Sequence, residues 1–163
     1  MSTIYEIAVN MEKEGKEYYE RLASQTQINE LQGVFLFMAK QEEKHRKLFE
    51  SLAKGESIEP LTAQSAAAEA KAAFGRMAPG FSAPADMHTA TDAYKIAKTM
   101  ETQAVEYYTE LLTKAQTTAE KEALEVVIKE EKQHEKIVAS FLEFVNRPNE
   151  WLENAEFNHL ESY

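Results

Sequence analysis

The chain has 163 residues, 44% hydrophobic and 28% charged, a composition that supports one folded domain with a core and excludes a disordered chain. Its formal net charge of −10 argues against nucleic acid and anionic membrane as partners. It contains no cysteine, which excludes disulfides, thiol nucleophiles, iron–sulfur clusters and thiolate zinc sites.

The opening stretch MSTIYEIAVNMEKEGK turns polar at once and does not read as a signal peptide. No apolar run approaches the ~20 residues of a membrane helix. A cytoplasmic protein is expected. Apolar residues then recur with a period near 3.6, which predicts a first long helix from Thr3 to Ser24 and a second from Asn29 to Lys54. A connection follows from Gly55 to Ala85. It holds Pro60, Pro79 and Pro84 with Gly75 and Gly80, and its alanine-rich piece AQSAAAEAKAAFGRM predicts a short helix. The third long helix is predicted from Asp86 to Ala115, with His88 near its start, and the fourth from Thr118 to Asn146. Pro148 suits the first turn of a short helix in RPNEWLENAEFNHLESY, with Trp151 and Phe157 as anchors and His159 as an ordinary residue. The expected organisation is a helical bundle over 1–147, with its crossover at about 55–85, and a helical tail over 148–163 packed on it.

The two halves repeat. Shifted by 89 positions, the first hairpin lies on the second without gaps. Tyr5 meets Tyr94, Met11 meets Met100, and EYY at Glu17–Tyr19 meets EYY at Glu106–Tyr108. Glu12 meets Glu101, Glu42 meets Glu131, and His45 meets His134. Neither hairpin covers its own apolar face, so two together predict an all-α four-helix bundle. The short turns make neighbours antiparallel, and the long connection can cross the bundle. That is the ferritin-like topology.

The inward stripe of the second helix reads Leu31, Phe35, Met38, Glu42, His45, Phe49, Leu52; that of the fourth reads Leu124, Val127, Glu131, His134, Val138, Phe141, Val145. The first and third give Ala8, Glu12, Gly15, Tyr19, Leu22 and Ala97, Glu101, Ala104, Tyr108, Leu111. Four carboxylates in one low-dielectric core are costly unless something cancels them. No lysine or arginine stands in these stripes. Two divalent cations would cancel the charge, and each imidazole would add a neutral donor. Glu and His at i, i+3 share a helix face, so both can reach one centre. A single E-x-x-H is most often a solvated helix face. Two of them, each with a partner glutamate at matching register, make the ligand set of carboxylate-bridged di-iron or di-manganese bundles. The six expected ligands are Glu12, Glu42, His45, Glu101, Glu131 and His134. By position Glu42 and Glu131 bridge, Glu12 and Glu101 are terminal, and each histidine takes one ion. Tyr19 and Tyr108, seven residues after a ligand glutamate, are read as core residues that also donate to a carboxylate. Glu43, Glu130 and Glu135 are read as solvated, and Glu17 and Glu106 as facing water or pairing with lysines.

AVNMEKEGKEYYERLA with FMAKQEEKHRKLFESL, and IAKTMETQAVEYYTELL with VIKEEKQHEKIVASFL, resemble the two hairpins of the rubrerythrin family within the ferritin-like superfamily. The tail NEWLENAEFNHLESY is similar to the ends of small rubrerythrin-like proteins. The resemblance implies two iron ions, with manganese or mixed metal as variants, and two-electron reduction of hydrogen peroxide or dioxygen at the binuclear site. Two departures stand out. The four-cysteine, rubredoxin-type site of rubrerythrins is missing, so the electron donor must be external, such as a rubredoxin-like protein. The extra glutamate that rubrerythrins carry one turn after the third-helix ligand is Ala104 here, and its repeat mate is Gly15. The remaining six ligands resemble the symmetric site of bacterioferritin, and the two small residues are expected to leave room for the oxidant. The alternatives are a ferroxidase that handles iron and a metal-stabilised interaction module without turnover. The superfamily also implies a homodimer.

Overall fold

The computed structural model of the chain describes residues 3–77 and 79–148. Among these residues five α-helices are formed: α1 (Thr3–Gln25), α2 (Asn29–Ala53), α3 (Ala66–Met77), α4 (Thr91–Lys114) and α5 (Thr118–Asn146). No strand occurs among the described residues. The helix expected after Pro148, with Trp151, Phe157 and His159, lies outside them.

Local chemistry sets several helix ends. α2 stops at Gly55, which takes φ 72° at no steric cost. The Glu56 N–H then bonds Ser51 O (2.9 Å) and the Gly55 N–H bonds Leu52 O (3.1 Å), a Schellman closure that satisfies two terminal carbonyls. At the start of α5 the Thr117 hydroxyl accepts the Glu120 N–H (3.1 Å), and the Glu120 carboxylate reaches back to the Gln116 N–H (2.9 Å). The third long helix begins later than the sequence predicts. Met87–Ala90 form a 3₁₀ turn, and α4 starts only at Thr91. The cause is the tight exit from Pro84: Met87 N–H bonds Pro84 O and Thr89 N–H bonds Asp86 O, each three residues back, and the Asp86 side chain caps nothing. His88 sits exposed in that turn.

The connections of three residues, 26–28 and 115–117, fold α1 onto α2 and α4 onto α5 as antiparallel hairpins. The hairpins meet through α1 against α4 and α2 against α5, and α3 lies across α2 and α5. This is a ferritin-like helical bundle. Among the described residues no helix is long and apolar enough to cross a membrane.

The core is split in two along the bundle. One apolar cluster holds Tyr19, Leu22, Phe35, Met38, Phe74, Phe141 and Phe144; the other holds Tyr5, Phe49, Leu52, Tyr108, Leu111, Leu124 and Val127. Alanines at 66, 70 and 73 let α3 lie close, so that Phe74 reaches the first cluster and meets Phe141 edge-on at 5.4 Å and Phe144 at 5.2 Å. Phe141 also meets Phe35 edge-on at 5.4 Å. Phe141→Ala should therefore cost about 3–5 kcal/mol of unfolding free energy in denaturant titration, the usual loss for a fully buried ring. Between the two clusters the core turns polar.

Candidate metal centre

All six stripe residues meet in that polar layer, each 3% exposed or less. They come from four helices: Glu12 from α1, Glu42 and His45 from α2, Glu101 from α4, Glu131 and His134 from α5. They form two overlapping groups, Glu12, Glu42, His45, Glu131 and Glu42, Glu101, Glu131, His134. Within each group one donor atom per residue lies within 4.8 Å of all the others. Glu42 and Glu131 belong to both groups. His45 Nδ1 stands 2.8 Å from Glu131 Oε1 and 3.5 Å from Glu12 Oε2; His134 Nδ1 stands 2.8 Å from Glu42 Oε1 and 3.2 Å from Glu101 Oε1.

The outer atoms of both rings are tied by Gln41 and Glu130. Gln41 Nε2 donates to Glu130 Oε2 (2.6 Å) and to Gln64 O (3.0 Å), so its Oε1 is left to accept from His134 Nε2 (2.7 Å). His134 therefore donates from Nε2, and its Nδ1 faces the carboxylate oxygens. His45 Nε2 faces Glu130 Oε1 at 3.4 Å, which turns its Nδ1 inward in the same way.

Whether a metal suits this layer can be asked of the atoms themselves. Glu12 Oε2, His45 Nδ1, Glu101 Oε2 and Glu131 Oε1 are buried without a hydrogen-bond partner. Buried polar atoms are almost always partnered, and lone pairs aimed at one another repel. No lysine or arginine is buried among the described residues. Oxygen and imidazole donors converging on two centres are the donor chemistry of a pair of divalent transition metals, so the residues fit such a pair.

The same crowding shifts proton affinities. Burial, and then the neighbouring carboxylates, push the Glu42 and Glu131 carboxyls well above the usual range. Burial alone would lower His45; the Glu12, Glu130 and Glu131 carboxylates beside it outweigh this and hold the ring well above its ordinary value. For Glu101, burial is outweighed by His134, Glu131 and Tyr19 beside it, and the carboxyl falls below the usual value.

Tyr19 on α1 donates to Glu101 Oε1 on α4 (2.5 Å), and Tyr108 on α4 donates to Glu12 Oε1 on α1 (2.7 Å). Each tyrosine thus crosses to the other hairpin. Burial, and then nearby carboxylates, push both phenols well above their usual pKa, so they remain donors. A cavity of about 70 Å³ opens between α1 and α4, lined by Met11, Gly15, Met100, Gln103 and Ala104, and reaches Glu12, Glu42, Glu101 and Glu131. At Gly15 the room is partly taken: a Cβ there would lie 3.0 Å from Glu42 Oε2. Glycine at this position makes space for the Glu42 carboxylate as well as for the cavity.

One sequence expectation is overturned. Glu130, expected to be solvated, is 5% exposed and belongs to the network behind His45. Gln41, its partner, belongs to the same network. The periodicity placed both beside the stripe, but the closeness of α2 and α5 buries that flank too. The signal was available: Gln41 and Glu130 are repeat mates, each directly before a cage glutamate. Glu43 is partly exposed, and its hydrogen bonds to Arg46, with Lys16 nearby, lower its carboxyl to about 2. Glu135 accepts from Thr102 (2.6 Å) and is partly buried. Glu17 and Glu106 are exposed.

Compared with known proteins, residues 4–142 match the family model described as Rubrerythrin. No curated protein and no solved structure gives a match.

Proposed function

The chain belongs to the rubrerythrin family, and on that premise we propose that it reduces hydrogen peroxide or dioxygen by two electrons at a pair of iron ions in its polar layer. The observation that carries this reading is the convergence of buried, unpartnered donor atoms on two centres with shared glutamates. Glu12 and His45 would hold one ion, Glu101 and His134 the other, and Glu42 and Glu131 would bridge them. Iron in that place supplies Lewis acidity and one electron per ion, enough to turn one peroxide and two protons into two waters.

The chain's own residues supply the rest. Tyr108 holds Glu12 Oε1 and leaves Oε2 facing His45, and Tyr19 holds Glu101 Oε1, beside His134, and leaves Oε2 without a partner. Small Gly15 and Ala104 keep a path open between α1 and α4 that admits a molecule of peroxide size. The apolar clusters above and below limit the layer's contact with bulk water to this cavity, which strengthens the electrostatic contacts in it. These 163 residues hold no cysteine for an iron–thiolate site, so the donor proposed lies outside them, such as a rubredoxin-like protein.

The test is anaerobic. Protein loaded with Fe(II) and mixed with peroxide should consume about one peroxide per two irons, faster than free Fe(II), with the iron still bound after gel filtration. Loss no faster than that by free Fe(II) would overturn the proposal. Fast loss with release of the iron would instead support iron handling.

A further inference from the structure

We propose that the two metal positions are inequivalent, and that Glu130 and Gln41 act as positioning residues that send the first ion to the His45 side. The inference rests on the two-metal reading above. The six cage residues are identical in pairs across the repeat, so the cage itself gives no reason for either side to fill first. The duplication breaks directly behind the rings. Position 41 is a glutamine and its mate, position 130, a glutamate, and both side chains are buried.

The break reaches the two imidazoles differently. His134 Nε2 donates to a neutral amide oxygen, Gln41 Oε1, at 2.7 Å. His45 Nε2 faces a carboxylate oxygen, Glu130 Oε1, at 3.4 Å. The amide cannot be turned round to equalise them, because its nitrogen is held by two acceptors, Glu130 Oε2 and Gln64 O. A carboxylate behind an imidazole draws on the N–H proton and makes the opposite nitrogen a stronger donor to a cation; an amide carbonyl does so less. This favours a cation at Glu12, Glu42, His45 and Glu131 over one at Glu42, Glu101, Glu131 and His134.

Stepwise affinity alone would not test this, because a first ion repels a second in any such pair. The place of the first ion does. Metal-free protein labelled with ¹⁵N at histidine would be titrated with Co(II), the imidazole signals being assigned with His45→Gln. The first equivalent should perturb His45 before His134, with a preference of about tenfold or more. The double exchange Gln41→Glu with Glu130→Gln keeps charge and composition and should reverse the order. Should the exchanged protein fail to fold, Glu130→Gln alone should weaken the preference for His45. Equal filling, His134 first, or an order that the exchange leaves unchanged would overturn the inference while two Co(II) ions still bind. If no Co(II) binds, the two-metal reading falls with it.

Discussion

Glu131→Gln should lose both metal ions and yet yield a metal-free protein that is harder to unfold. Glu131 belongs to both donor groups, so its loss damages both positions at once. In the metal-free protein the same carboxylate is a liability. It is 1% exposed, faces Glu101 and Glu12 as like charges, and has Oε1 without a hydrogen bond. Its folded-state pKa is raised above the unfolded value. The stability lost by burying it therefore grows as pH rises past the unfolded pKa and is present at neutral pH. Glutamine is nearly the same shape and carries no charge to bury. Replacing buried charges with neutral groups of similar volume is often stabilising by about 1–4 kcal/mol. The remaining contact of His45 with Glu131 offsets part of this, so a gain of about 1–2 kcal/mol is expected, or about 2–8 °C in the melting temperature of a chain this size. Metal analysis after loading, with melts of both metal-free proteins by circular dichroism, reads the two effects separately. A metal-free variant that melts well below the parent would mean that Glu131 serves the fold and not a metal pair.

Removing metal from the parent protein should lower its melting temperature by about 10–20 °C, and adding it back should restore the loss. A ligand that binds only the folded state stabilises it by about 2.7 kcal/mol when present at a hundred times its dissociation constant. Two such positions give about 5 kcal/mol, and each kcal/mol moves the transition by about 2–4 °C. The direction follows from the layer's charge. Four mutually close carboxylates face two imidazoles without a buried lysine or arginine among the described residues. Chelated, Fe(II)-loaded and Mn(II)-loaded samples compared by calorimetry measure the effect. The same comparison on Phe141→Ala, whose ring lies in the apolar cluster, should show an equal metal shift on a lower baseline. A parent protein indifferent to chelator would leave the cage as a polar core without a resident ion.

The repeat, the four long helices and the inward stripes are legible in the order of residues alone, because a period near 3.6 fixes which residues share a face of a helix. That is enough to name Glu12, Glu42, His45, Glu101, Glu131 and His134 as one set. The start of α4 was less legible, since the 3₁₀ turn at Met87–Ala90 depends on how the chain leaves Pro84. Which neighbours face that set from outside depends on how the helices pack. Periodicity fixes a residue's direction from its own helix axis, but not how near the next helix lies. Glu130 is solvated on an isolated α5 and buried once Gln41 of α2 stands 2.6 Å from it. Tyr19 shares a stripe with Glu12 yet serves Glu101, because its length carries the hydroxyl across the gap to the other hairpin.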